Sequence, residues 1–212
     1  LERIGGALRK QNALLVVDAS QSLGAMPFDV ARIQPDFLVT SGYKWMHCPY
    51  SISFLYAAPR HHNGRPIEEN PMNRRDSRAF ARLADYVDAY DPGAVRYDVG
   101  ERANFTLLPG AIAAVEQLLD WTPEWIQSEL RAKTARVAAI GQEMGLKVLP
   151  EERRAGHFLG LVFPDGVPDG TAARLAAEKI FVSVRGRSVR VTPHLYNDEE
   201  DLERLIAALK SL

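Results

Sequence analysis

Leu14-Leu15-Val16-Val17-Asp18-Ala19-Ser20-Gln21-Ser22-Leu23-Gly24 opens the most informative stretch of the chain, and Phe37-Leu38-Val39-Thr40-Ser41-Gly42-Tyr43-Lys44 closes it. Each half is a short apolar run that ends in polar residues. Runs of this length between turn residues suit strands buried on both faces, the pattern of a parallel sheet. In an open α/β sheet, ligands bind beyond the carboxyl ends of the strands. The reading puts Asp18 at one such end and residues 41–44 at another. A carboxylate and an amine delivered to one crevice by separate strands suit chemistry better than packing.

Around this stretch, residues 2–11 read as a helix and 29–33 as a helical turn that Pro35 stops. The strands proper are expected at 14–17 and 37–39. Residues 51–56 alternate, with Ile52, Phe54 and Tyr56 inward, as a third strand. Residues 61–75 hold two His, two Pro and one Gly without periodicity and read as a loop. Residues 77–90 predict a helix with Phe80, Leu83 and Val87 on one face, and 91–103 an irregular segment. Residues 107–121 predict a strong helix, because Leu108, Ile112, Val115 and Leu119 fall at helical spacing. Thr122-Pro123-Glu124 then supplies an N-cap, a first-turn proline and an acidic first turn. The long helix that follows should end at Gly145. Beyond it the pattern predicts strands at 147–149, 158–163, 181–184 and 189–192, with a helix at 171–179. A last helix, capped by Asn197 with Glu200 as capping-box partner, carries the stripe Leu202, Leu205, Ile206, Leu209. The organisation expected is an α/β piece over residues 1–119 and a smaller α+β domain over 120–212.

Composition narrows the function. The chain of 212 residues has a net charge of -1, so no basic surplus points to nucleic acid or to an anionic membrane surface. No apolar run reaches the roughly eighteen residues that a membrane span needs. The single cysteine, Cys48, forbids an internal disulfide and suits a reducing compartment, the cytoplasm. His47, His61, His62 and His157 show no metal-ligand spacing, so no metal is expected. The chain starts at Leu1, inside what reads as a helix, and a preceding region is therefore expected.

Asp18 and Gln21 followed by Gly24, then Asp36-Phe37, then Ser41-Gly42-Tyr43-Lys44 resemble the marks of the class V aminotransferase family of pyridoxal 5'-phosphate enzymes. Those marks are Asp-x-x-Gln, Asp-Phe and Ser-x-His-Lys. The family includes cysteine desulfurases, kynureninases and isopenicillin N epimerase-like proteins. The tail Val189-Arg190-Val191-Thr192-Pro193-His194-Leu195-Tyr196-Asn197 is similar to the family's Arg-x-Ser…Tyr-Asn strand. Tyr97-Asp98-Val99-Gly100 is similar to its Phe-Glu-x-Gly loop, which reaches the phosphate of the other subunit of a homodimer. Three departures stand out. Tyr43 replaces the histidine before the lysine; Cys48, Ser51 and Ser53 replace a glycine-rich run; and Glu101 replaces a threonine, with Arg102 as a possible substitute.

The resemblance implies part of the three-layer α/β large domain of fold-type I pyridoxal-phosphate enzymes, followed by a small α+β domain. It implies that Lys44 forms an aldimine with the cofactor and then moves protons at the substrate α-carbon. Asp18 would hold the pyridine nitrogen protonated, Gln21 would reach the ring oxygen, and Ser41 and Tyr43 would offer hydroxyls to the phosphate. Arg190 would clamp the carboxylate of an amino-acid substrate through its planar fork. The family's phosphate-binding turn and ring-stacking aromatic would lie upstream of residue 1. The activity implied is that of an aminotransferase or lyase, with epimerisation also open. The rival readings are a truncated, non-catalytic domain of this fold and a cysteine desulfurase. A desulfurase fits poorly, since residues 184–189 hold no cysteine and Cys48 reads as packing. Singly, each residue also has a structural reading: Asp18 as a turn cap, Lys44 as a solvated amine, Gln21 as a helix cap, Arg190 as half of a surface ion pair.

Overall fold

The computed structural model describes residues 1–82 and 84–212, and it divides into two compact units, Leu1–Asp120 and Trp121–Leu212.

In the first unit, α1 (Glu2–Arg9) precedes β1 (Val16–Asp18), and α2 (Val30–Ile33) links β1 to β2 (Phe37–Ser41). β1 and β2 are parallel, with Val17 opposite Leu38 and Asp18 opposite Val39. β3 (Ser53–Ala57) returns antiparallel to β2, so the sheet order is β1-β2-β3. Asp29 caps α2 by accepting the Arg32 N–H, and Gln34 ends it in a left-handed conformation just before Pro35. The core is one-sided. Leu15, Val17, Ala19 and Leu38 are buried, with Leu8, Leu23, Phe28, Ile33 and Tyr56 packed against them. The alternate positions face outward, with Val16 61% exposed and Phe54 also exposed. Two-sided burial of these strands and an inward Phe54 were the expectations, and the structure corrects both: the sheet is covered on one face, so alternation decides which side chains are buried.

Residues 77–90 do not form the expected helix. A short 3₁₀ turn at Phe80–Arg82 is the only helical piece described there, and Leu83 lies outside the described residues. Longer-range pairing takes over this segment: Ala89 O accepts from Arg75 N, Asn73 O accepts from Asp91 N, and the Arg74 guanidinium sits over the Tyr90 ring at 4.1 Å. α3 (Leu108–Trp121) forms as expected, but it buries Ala111, Ala114 and Leu118, while Leu108, Ile112 and Leu119 stay exposed. Small residues pack where the larger ones were expected to.

In the second unit, Thr122 caps α4 (Pro123–Glu143) by accepting the Trp125 N–H, and the helix stops just before Gly145. A three-stranded antiparallel sheet follows, with β4 (Leu159–Val162), β5 (Ser183–Arg185) and β6 (Ser188–Val191) in the order β4-β6-β5. α5 (Thr171–Ala177) precedes β5, and α6 (Glu199–Lys210) closes the chain. The expected strand at 147–149 is reduced to one bridge, Lys147 with Val162. The cap of α6 is Asp198, whose carboxylate accepts the Asp201 N–H, and not Asn197. Asn197 instead accepts the His194 N–H and donates to Asp201. Val137, Leu159, Leu161, Val189, Val191 and the α6 stripe Leu202, Leu205, Ile206, Leu209 form the core. The Lys133 ammonium donates to the carbonyls of His194, Leu195 and Asn197, which fastens the loop before α6 to α4.

Candidate functional site

Asp18 is the last residue of β1, and Lys44 follows the end of β2 by three residues. Because the two strands are parallel neighbours, their carboxyl ends emerge side by side. Ser20 joins them. Its N–H donates to Asp18 Oδ1 at 2.9 Å, an Asx turn, and its Oγ accepts the Ser41 N–H at 2.9 Å and lies 3.2 Å from Ser41 Oγ. Asp18 is exposed, and its carboxyl is held below the ordinary value. The hydroxyl and then the N–H of Ser20 are the main causes; slight burial opposes them, and the Lys44 ammonium lowers it further. The Lys44 ammonium thus acts on the Asp18 carboxyl, as the smallest of these causes.

Two glycines shape the turn that carries Lys44. Gly24 has φ +94°, and a Cβ there would lie 2.2 Å from the Trp45 carbonyl oxygen. The turn after β1 thus presses directly on the backbone after Lys44. A Cβ at Gly42 would meet the Ile52 carbonyl oxygen at 2.7 Å and Cys48 Cβ at 3.0 Å. Gly42 N donates to Ile52 O, and Gly42 O accepts from Cys48 N, so the turn folds back on itself. Lys44 is half-buried, and its ammonium lies 5.7 Å from the centre of the Tyr43 ring. Tyr43 stacks on Tyr50 at 4.5 Å. Gln21 is exposed in the turn after Ser20.

Other predicted positions prove to be structural, or are engaged elsewhere. Asp36 is buried, accepts from Leu15 N and Arg60, and contacts His61 Nε2 at 2.5 Å. Burial pushes its carboxyl up, but the bonds from His61, Leu15 and Arg60 outweigh that and hold it at about 2. In the loop at 97–100, Gly100 N donates to Glu68 at 2.7 Å, and Arg102 pairs with Asp98 at 3.2 Å. Cys48 is buried against the Met46 and Ala111 carbonyls, and burial raises its thiol pKa.

Arg190 belongs to the second unit. It lies on β6 opposite Gly160 of β4 and Ser183 of β5, on the face away from the buried Val189 and Val191. Its guanidinium carbon lies 5.4 Å from the Phe158 ring centre, and its buried Nε has no hydrogen-bond partner among the described residues. It lines a cavity of about 600 Å³ together with Phe158, Gly160 and Arg154.

Sequence reasoning missed Ser20, Gly24's contact with Trp45, and Arg154. Ser20 had a readable signal, since Asp-x-Ser after a strand favours an Asx turn. The other two contacts are long-range and leave no local trace.

Residues 1–68 match the family model described as Aminotransferase class-V. The uncharacterized aminotransferase YcbU of Bacillus subtilis is 26% identical over 207 residues, covering 97% of this chain and 53% of that protein. The hercynylcysteine sulfoxide lyase of Schizosaccharomyces pombe is 31% identical over 124 residues, which are 55% of this chain and 31% of that protein. Among solved structures, the apo cysteine desulfurase from Thermococcus onnurineus NA1 superposes with a TM-score of 0.82 at 22% identity, covering 99% of this chain and 55% of that one. The chain spans about half the length, or less, of these relatives. The fold is that of fold-type I pyridoxal-phosphate enzymes, mixed α/β and partial.

Proposed function

From the premise that this chain belongs to the class V aminotransferase family, we propose that it carries the lysine and ring-nitrogen half of a pyridoxal 5'-phosphate site that acts on amino acids by transamination or a lyase step. The observation that carries the reading is that Asp18 ends β1 and Lys44 follows by three residues the end of β2, its parallel neighbour. The donor set fits the group: an ionised carboxylate for a ring N–H, a half-buried amine, and a hydroxyl and an amide close by in Ser41 and Gln21. Bound pyridoxal phosphate supplies an electron sink for chemistry at the substrate α-carbon.

This chain's own residues would act as follows. Asp18, kept ionised by Ser20, holds a proton on the ring nitrogen. Lys44 moves a proton at the α-carbon. Gln21 contacts the ring oxygen, Ser41 and Tyr43 turn hydroxyls to the phosphate, and Arg190 orients the substrate carboxylate. A homodimer in the cytoplasm is the assembly and compartment that go with this reading. Cysteine desulfuration is a weaker reading, because the chain's one thiol is buried.

Borohydride trapping tests the reading. The chain is mixed with pyridoxal phosphate, reduced, digested and mapped by mass spectrometry. The adduct is expected on Lys44, and Asp18→Asn should reduce its yield several-fold. An adduct spread over Lys10, Lys179 and Lys210 as heavily as over Lys44 overturns the proposal.

A further inference from the structure

The cavity beside Arg190 holds a second arginine that the proposed reaction leaves unused. Arg154 follows the 3₁₀ turn Glu151–Arg153, and its Nε and Nη1 are buried without a hydrogen-bond partner among the described residues. Arg190 Nε is in the same condition, and both side chains line the same cavity of about 600 Å³. That volume suits a small-molecule ligand. The other ionisable residues of the lining are Lys147, Arg153 and Arg185, and no Asp or Glu is among them. Glu151, on the preceding turn, faces Arg131 at 3.7 Å. Gly160 lies directly opposite Arg190 in the sheet, and a Cβ there would come within 3.2 Å of Ser188 Oγ, so the lack of a side chain keeps the strand pair close beside the cavity.

Buried guanidinium N–H groups without acceptors are costly, and two of them in one acid-free cavity repel each other. A ligand that brings one anionic group to each relieves both costs. We propose that the amino-acid substrate carries a second acidic group, and that Arg154 receives it while Arg190 holds the α-carboxylate. This rests on the Arg190 assignment above. Arg154 is then the residue that selects diacid substrates over neutral ones.

Binding without cofactor separates this proposal from the Lys44 reading. The probes are succinate and succinamate, which differ by one negative charge, titrated into the full chain and followed by amide NMR shifts. Succinate should bind about tenfold more tightly than succinamate, as expected for one charged hydrogen-bonding contact. Arg154→Gln should erase that preference, Arg154→Lys should keep most of it, and Arg190→Gln should weaken both probes. Equal affinity for the two probes in the wild type, a preference that survives Arg154→Gln, or no shift at the cavity with either probe overturns the proposal. Trapping at Lys44 is unaffected by any of these results, so the two readings fail independently.

Discussion

Ser20 holds Asp18 ionised through its hydroxyl and N–H, so Ser20→Ala should raise the Asp18 pKa toward the ordinary value. A side-chain carboxyl NMR titration reads that shift directly. Asp36 is the structural counterpart, buried at 4% exposure and satisfied by Leu15, Arg60 and His61. Its folded-state value of about 2 lies below the ordinary aspartate value of 3.8. Its stabilisation is therefore fully present above the unfolded value and is lost as pH falls through about 2. The shift corresponds to roughly 2 kcal/mol. Urea denaturation of wild type and Asp36→Asn should show a gap of about that size near pH 6, closing progressively between about pH 4 and pH 2. Asp36, Asp18 and Lys44 could all be singled out in the sequence, because each sits where an apolar run meets polar residues. Their different fates could not be read there, since the Arg60 and His61 that engage Asp36 come from more than twenty residues away.

Elements formed where local signals and packing agreed. The first turn of α4 is an example: a Thr122 cap, Pro123 and acidic Glu124 all point the same way, and the helix starts there. At α6 two adjacent polar residues competed, and Asp198 took the cap while Asn197 turned back to the His194 N–H. Asp198→Ala should therefore cost about 1 kcal/mol of stability in thermal or chemical unfolding, the usual value of a lost cap. Residues 77–90 went the other way because pairing of 73–75 with 89–91 satisfies backbone groups that a helix would have used. Such pairing spans a sequence gap that periodicity cannot see. The α3 stripe failed for another reason. Helical spacing reveals that a helix has an apolar face, but α3 has two, and Ala111, Ala114 and Leu118 form the buried one.

Across the whole molecule, each unit has its own core, and the second was the more legible. β4 and β6 alternate between buried and more exposed residues, and Leu202, Leu205, Ile206 and Leu209 all pack inward. Leu161 is fully buried there, in contact range of Gly141 on α4. Leu161→Ala should destabilise the second unit by about 3 kcal/mol, as large-to-small core changes do, and lower its melting temperature accordingly. The first unit's sheet, covered on one face, made its exposed Val16 and Phe54 look like core residues in the sequence. Cys48, by contrast, is sealed in the first unit four residues beyond Lys44. That gives the chain a built-in clock: a disulfide reagent can react with this thiol only in molecules whose Lys44 turn has sprung open. Native labelling should therefore run orders of magnitude slower than labelling in denaturant, at a rate that counts those openings.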